Sequence, residues 1–249
     1  MSLAAVMTEP LRFPAAPLSV SHRCGNCPAR ALSICGALRT EDLGRLASLK
    51  TIQQVEPGAT FIDESEPATH YFNITQGAAK VYKLLPDGRR QVTGFFFAGD
   101  LLGLAFNSTY VYSAEALTRM TICRFPRRQL ERLLDDFPAM EKRLMAKASY
   151  ELAAAQEHMM LLGRKTAHER IASFLLGLAG RQERLGGEPD VVHLPMTRTD
   201  IADYLGLTTE TVSRVFTALK KRGWIVLRSS GEVELSDRDS VEDLAAGLE

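Results

Sequence analysis

The sequence predicts an α+β fold in three parts: a β-rich half closed as a sandwich or barrel, one long helix, and a small helical domain finished by a β-hairpin. Three observations predict it. Between Thr51 and Phe125, short β-rich runs alternate with turn residues at regular spacing, the pattern of a closed antiparallel fold. From about Ala139 to Leu162, apolar residues recur at alternating spacings of three and four, the period of a helix with a narrow apolar seam. Beyond residue 163, two helical patterns flank a glycine and lead into two short apolar strands. The chain of 249 residues, 45% hydrophobic and 24% charged, has the composition of a globular protein with material for a core.

The elements follow in order. Residues 1–21, with Pro10, Pro14 and Pro17, are expected to be disordered; Glu9 precedes any Lys or Arg, so the start lacks the basic and apolar regions of a signal peptide. No run approaches the roughly 18 apolar residues of a transmembrane helix, and the cytoplasm is the expected compartment. Residues 22–50 hold a cysteine segment and a short helix, Thr40 to Leu49, with Leu43, Leu46 and Leu49 on one side. Residues 51–136 form the β domain, with strands at Ala59–Ile62, His70–Thr75, Ala78–Leu85, Gln91–Phe97, Val111–Leu117 and Met120–Phe125. Pro86-Asp87-Gly88 is a hairpin turn, in which Pro presets φ and Gly supplies a positive one. The Phe95-Phe96-Phe97 run reads as core, and a short helix closes the domain by Asp136.

Residues 137–163 are the long helix. Its stripe of Met145, Ala148, Leu152, Ala155, Met159 and Leu162 is a heptad seam, the pattern of a two-helix interface and hence of a homodimer. Gly163-Arg164-Lys165 is expected to be a hinge into the last domain, 164–249.

That domain reads as a helix from Thr166 to Leu178, a strand at Val191–Leu194, and two helices around a tight turn. Thr197-Arg198-Thr199-Asp200 makes a capping-box-like start, and Ile201, Ala202 and Leu205 form the buried side. Gly206 sits where the chain reverses, and Thr208 caps the second helix. There Val212, Val215, Phe216 and Leu219 face inward, while Glu210, Ser213 and Arg214 share the opposite face and Lys220 stands at the C-terminal end. Trp224–Leu227 and Glu232–Leu235 form a wing that turns near Ser230-Gly231. This is a winged helix-turn-helix, whose second helix presents side chains to base edges in the major groove. Thirty basic and thirty acidic residues cancel overall, yet residues 164–228 carry eleven basic and seven acidic, a local surplus of four. Arg reads guanine bidentately, Glu accepts from cytosine and Ser serves either kind of base. Glu210, Ser213, Arg214, Thr208, Thr209, Arg198 and Lys220 are therefore the candidate DNA contacts.

The chain has four cysteines: Cys24, Cys27 and Cys35, spaced C-x2-C-x7-C, and the distant Cys123. In a reducing compartment this reads as ligation of Zn or of an iron–sulfur cluster, with unrelated buried thiols as the alternative. No nucleophile–base constellation, P-loop or dinucleotide fingerprint is present, so the chain is not expected to be an enzyme. An iron–sulfur enzyme or carrier is the remotest reading.

The order β domain, long helix, winged helix resembles the CRP/FNR family of transcription regulators over about residues 22–240. The run Thr197-Arg198-Thr199-Asp200-Ile201-Ala202-Asp203-Tyr204-Leu205-Gly206-Leu207-Thr208-Thr209-Glu210-Thr211-Val212-Ser213-Arg214 carries the resemblance furthest. Its Glu-x-x-Ser-Arg pattern looks like that of the FNR branch, which reads TTGAT half-sites in an inverted repeat. The resemblance implies a β-roll of the cyclic-nucleotide-binding, jelly-roll type. It also implies a [4Fe–4S] cluster on Cys24, Cys27, Cys35 and Cys123, oxygen-dependent regulation of anaerobic genes, and an RNA polymerase contact at the hairpin Asp87, Gly88, Arg89. The x7 gap departs from the x5 of the best-known members and resembles a variant branch. A same-fold regulator with a Zn or thiol-redox site is the alternative. The family's cyclic nucleotide would need a basic residue for its phosphate, and Gly99 to Ser108 holds neither Arg nor Lys; none is expected to bind. Haem, with His22, His70 or His158 as its axial ligand, is not expected either.

Overall fold

The computed structural model describes residues 24–105, 108–184, 186–228 and 231–248. The expected disorder of residues 1–21, His22, the Phe106-Asn107 part of the Gly99–Ser108 segment and the tip of the wing at Ser230 lie outside them.

Two four-stranded antiparallel sheets make the β domain. The first runs β1(Thr51–Val55)-β8(Met120–Pro126)-β3(His70–Gln76)-β6(Leu101–Leu102), and the second β2(Thr60–Ile62)-β7(Ser113–Ala116)-β4(Ala78–Leu84)-β5(Arg90–Phe97). Their inner faces enclose Phe72, Ile74, Val81, Leu102, Ala114, Met120 and Ile122, with Phe61, Phe96 and Tyr112 packed against them. Strand alternation sends the next residues to the outer faces. On the first sheet these include Tyr71, Leu101, Cys123 and Phe125, which form one cluster with Ile34, Leu38, Leu43, Leu46, Leu130 and Met140. The cysteine segment, with a short 3-10 turn at Ile34–Ala37, thus lies over the first sheet beside α1(Leu43–Leu49) and α2(Arg127–Asp136).

The Pro86-Asp87-Gly88 turn joins β4 to β5, with Gly88 at φ 85°. Strand β1 and the two-residue β6 had no alternation strong enough to announce them, since most of β1 is exposed and β6 is too short for a period.

The long helix, α3(Pro138–Arg164), begins with Pro in its first turn, where the missing N–H costs no bond. It runs through Gly163 and ends at Arg164, so of the expected hinge Gly163-Arg164-Lys165 only Lys165 lies outside the helix, in extended backbone. The guanidinium of Arg170 fastens this corner, donating to the carbonyls of Leu162 (2.8 Å), Lys165 (2.9 Å) and Leu205 (2.8 Å). Lys165 adds bonds from Nζ to Ser173 Oγ (2.7 Å) and Ala245 O (2.8 Å).

The last domain comprises α4(Ala167–Arg184), β9(Val191–His193), α5(Arg198–Leu205), α6(Thr209–Lys221), β10(Ile225–Leu227), β11(Glu232–Leu235) and α7(Arg238–Ala246). Three things differ from expectation. Helix α4 extends well past Leu178, strand β9 joins the wing as a third strand in the order β10-β11-β9, and α7 buries Val241, Leu244 and Ala245 in the domain core. The acidic composition of the C-terminal stretch hid that amphipathic helix.

Candidate nucleic-acid interface and cysteine site

The helix-turn-helix is built as its sequence dictates. Thr197 Oγ1 accepts from Asp200 N at 3.1 Å, and Asp200 Oδ2 accepts from Thr197 N at 3.0 Å, closing a capping box at the start of α5. Gly206 ends that helix at φ 62°, a left-handed turn that a side chain would strain. Thr208 caps α6 through its Oγ1, which accepts from Thr211 N at 3.2 Å. Val212, Val215, Phe216 and Leu219 are buried, leaving Glu210, Ser213, Arg214 and Lys220 exposed on α6. The amides at the helix start and the Thr208 hydroxyl hold the Glu210 carboxyl below its usual range. Arg198 is placed differently: its guanidinium lies 3.5 Å above the Phe216 ring, and this half-burial lowers its pKa. Thr217 and Lys221 extend the exposed row of Ser213 and Arg214. The helical spacing i, i+4, i+8 from Ser213 would have found both.

This domain docks on the outer face of the second sheet. Lys80 and Asp200, 5% and 3% exposed, are paired at 2.8 Å, and Lys80 also holds Glu115 at 2.9 Å. Arg90 reaches Asp200 (3.0 Å) and Asp203 (2.8 Å). Burial opposes ionisation of Asp200, but Lys80 and Thr197 outweigh it and hold the carboxyl below its usual range. Around these charges, Phe95 packs on Phe174 and Tyr204, and Arg181 lies over Phe97. The Phe95-Phe96-Phe97 run is therefore divided: Phe96 belongs to the β core, while Phe95 and Phe97 join the two domains.

The cysteines are brought to the other sheet. Cys123 stands on β8, paired in register with Asn73 of β3 and Ile52 of β1. Cys24 and Cys123 are buried, Cys27 and Cys35 half-buried, and all four are free thiols. Lys50 Nζ lies 2.6 Å from Cys24 Sγ. Burial pushes Cys123 up to about 12; the charge of Lys50 opposes this, and the other three thiols reinforce it. Cys35 is likewise raised, by burial first and then by Cys24 and Cys27 against a hydrogen bond with Ser33. Cys123 thus feels the other three sulfurs, and Cys35 feels Cys24 and Cys27. Among the described residues, no three or more His, Cys, Asp or Glu side chains converge as ligands of a single metal ion.

Residues 169–244 match the Crp-like helix-turn-helix domain and residues 52–137 the cyclic nucleotide-binding domain. The chain is 41% identical over 225 residues to the nitrogen fixation regulation protein FixK of Bradyrhizobium diazoefficiens, covering 90% of this chain and 94% of that one. The chain belongs to the CRP/FNR family of transcription regulators. It is also 37% identical over 223 residues to the transcriptional activator protein FnrL of Cereibacter sphaeroides, covering 88% and 90% of the two chains. Among solved structures, that of FixK2 from Bradyrhizobium japonicum superposes with a TM-score of 0.73 at 36% identity, covering 78% of this chain and 96% of that one.

In this CRP/FNR regulator most of the long-helix seam is exposed. Met145, Leu152 and Met159 are 60%, 61% and 63% exposed, and Ala155 is exposed beside them; Ala148 and Leu162 are partly covered. The side turned to the regulator's own domains carries Leu144, Lys147, Glu151, His158 and Leu161. At the β4–β5 hairpin, Asp87 accepts from Arg89 N (3.0 Å) and Arg89 Nε (2.8 Å), leaving both residues exposed beside Leu84 and Leu85. Among the described residues, no helix is long and apolar enough to cross a membrane.

Proposed function

We propose that this regulator senses oxygen through a [4Fe–4S] cluster held by Cys24, Cys27, Cys35 and Cys123, and that it binds TTGAT-type inverted repeats as a homodimer. The observation that carries the reading is the meeting of the N-terminal segment with β8: Cys24 and Cys123 share one buried cluster, Cys35 packs against it, and half-buried Cys27 helps to raise the Cys123 pKa. The donor set fits the group: soft thiolates are the donors iron–sulfur clusters take, one per iron, so their sulfurs surround the cluster rather than meet at a point.

When bound, the cluster supplies an oxygen-labile tie between the cysteine segment and the first sheet. The segment's own residues carry that tie onward. Ile34 and Leu38 share a core cluster with Met140 in the first turn of α3, and Arg143 of the same helix donates to the Ala31 carbonyl. Ordering the segment therefore orders the start of the helix whose seam, Met145 to Leu162, pairs the two copies. Arg214, with Glu210 and Ser213, reads bases; Thr208, Thr209, Arg198 and Lys220 support or hold phosphate; Asp87, Gly88 and Arg89 meet RNA polymerase. The β-roll interior is filled by Phe61, Phe72, Phe96, Tyr110 and Tyr112, and Tyr112 Oη accepts from Gly103 N at 2.8 Å. This filling supports regulation without a cyclic nucleotide.

Anaerobically purified protein should be brown, contain iron and bleach in air. Each of Cys24→Ser, Cys27→Ser, Cys35→Ser and Cys123→Ser should lose iron while staying folded. A colourless protein with stoichiometric Zn would overturn the cluster in favour of a Zn site.

A further inference from the structure

Asn73 is a buried amide that the fold leaves almost unused. It lies on β3, 1% exposed, on the outer face that carries Tyr71, Cys123 and Phe125. An asparagine side chain offers two donors and an acceptor with two lone pairs. Among the described residues, Oδ1 has no partner and Nδ2 makes one long bond, 3.4 Å, to the carbonyl of the adjacent Ile74. Buried polar groups are normally paired, and an exception calls for a reason. A leucine or valine would fill the position at lower cost, as at the other apolar sites on this face.

The reason lies across the strand. Asn73 is the register partner of Cys123 in the antiparallel pair β3–β8. Such pairs project to one face with Cβ atoms about 4.5–5.5 Å apart, within reach of an amide N–H for a sulfur. Lys50 makes a comparable approach to another of the four sulfurs, donating to Cys24. Thiolate ligands are tuned by hydrogen bonds to their sulfurs, and outer residues that supply them govern how firmly the group is held.

We propose that Asn73 is a positioning residue of the cysteine site: when the cluster is bound its amide donates to the Cys123 thiolate, through the second Nδ2 hydrogen that its one bond to Ile74 leaves over. The inference rests on the cluster reading above. The full-length chain, loaded anaerobically with iron and sulfide, is challenged with excess ferrous-iron chelator, and iron loss is followed by absorbance. Asn73→Leu removes both donors while keeping the same branched skeleton; Asn73→Ser keeps one donor in a smaller side chain. Asn73→Leu should lose iron about 10-fold faster than the natural protein, with Asn73→Ser between them. The unloaded Asn73→Leu chain should melt no lower than the unloaded natural one, because leucine buries no unpaired amide. Unchanged iron retention in Asn73→Leu, with all four cysteine variants still losing iron, would overturn the role of Asn73 alone. A lower melting temperature of unloaded Asn73→Leu would show that the fold itself uses the amide, and would also overturn the proposal. Failure of the natural protein to take up iron would overturn the cluster reading and this inference with it.

Discussion

Asp200 shows how one residue can serve two levels of structure. One carboxylate oxygen closes the capping box of α5, and the other receives Lys80 and Arg90 from the β domain. Arg214 has a simpler position, exposed on α6, where it donates to Thr211 Oγ1 at 3.2 Å. Arg214→Ala should cost about 1–3 kcal/mol at the cognate site and relax preference at one base pair. Lys220→Ala should instead weaken all sequences alike and lower the salt slope by about 1. Binding titrations on cognate and scrambled DNA at several salt concentrations separate the two, and an unchanged preference in Arg214→Ala would remove it from base reading. His158 gives a pH test. It is stacked on Tyr204 at 4.0 Å, and burial, with the charge of Arg170, holds its pKa below the usual 6.5. The unfolded chain then binds the proton more readily, so stability falls as pH drops through 6.5 and levels off only below the folded value. His158→Phe keeps a stacked ring and should flatten that slope in thermal melts between about pH 7.5 and 5.5. An unflattened slope would move the effect to His70, also held low by burial and Arg124.

At the scale of elements, the decisive contact is α5 against β4 and β5. Lys80, Glu115 and Phe95 stand side by side in register across β4, β5 and β7, so one row of the second sheet forms the seat for the helix-turn-helix. Lys80→Met leaves Glu115 and Asp200 without their shared cation. Losing one partner of a buried pair costs about 3–5 kcal/mol, which urea unfolding should show, together with faster proteolysis near residues 164–166 as the domains part. Stability within about 0.5 kcal/mol of the natural protein would mean that Arg90 alone holds the seat. Arg170 has the parallel task at the other end of α5, where its three carbonyl bonds weld α3 to the turn at Gly206.

For the whole molecule, the two outer faces of the β domain have separate duties: the first sheet carries the cysteine segment and the second the DNA-binding domain. The long helix touches both and keeps an apolar seam outward. An inverted repeat needs two recognition helices about 34 Å apart, so DNA affinity should follow that seam. Leu152→Glu should sediment as a monomer and lose DNA binding even without oxygen. Ala155→Leu should add buried area and keep more dimer in air. A dimeric Leu152→Glu protein would place the interface elsewhere. Substitution at Asp87 or Arg89 should lower transcription from a target promoter with DNA affinity unchanged; loss of both would point to a fold defect.

The helix-turn-helix was legible in the sequence nearly residue by residue, because its cap, its left-handed glycine and its core spacing are local rules that need no distant partner. The long helix and most of the β strands were legible from period alone. The sequence also placed Cys24, Cys27 and Cys35 together, since they are near neighbours along the chain. What the sequence could not fix was long-range: the seat of α5 on Lys80 and Arg90, the division of Phe95, Phe96 and Phe97 between two cores, and Asn73 beside Cys123. A local pattern shows that a residue is buried or exposed, but only strand register and domain docking decide what it meets. Gly163 gives the same lesson: glycine lowers helix propensity by only about 1 kcal/mol, and the long helix continues through it to Arg164.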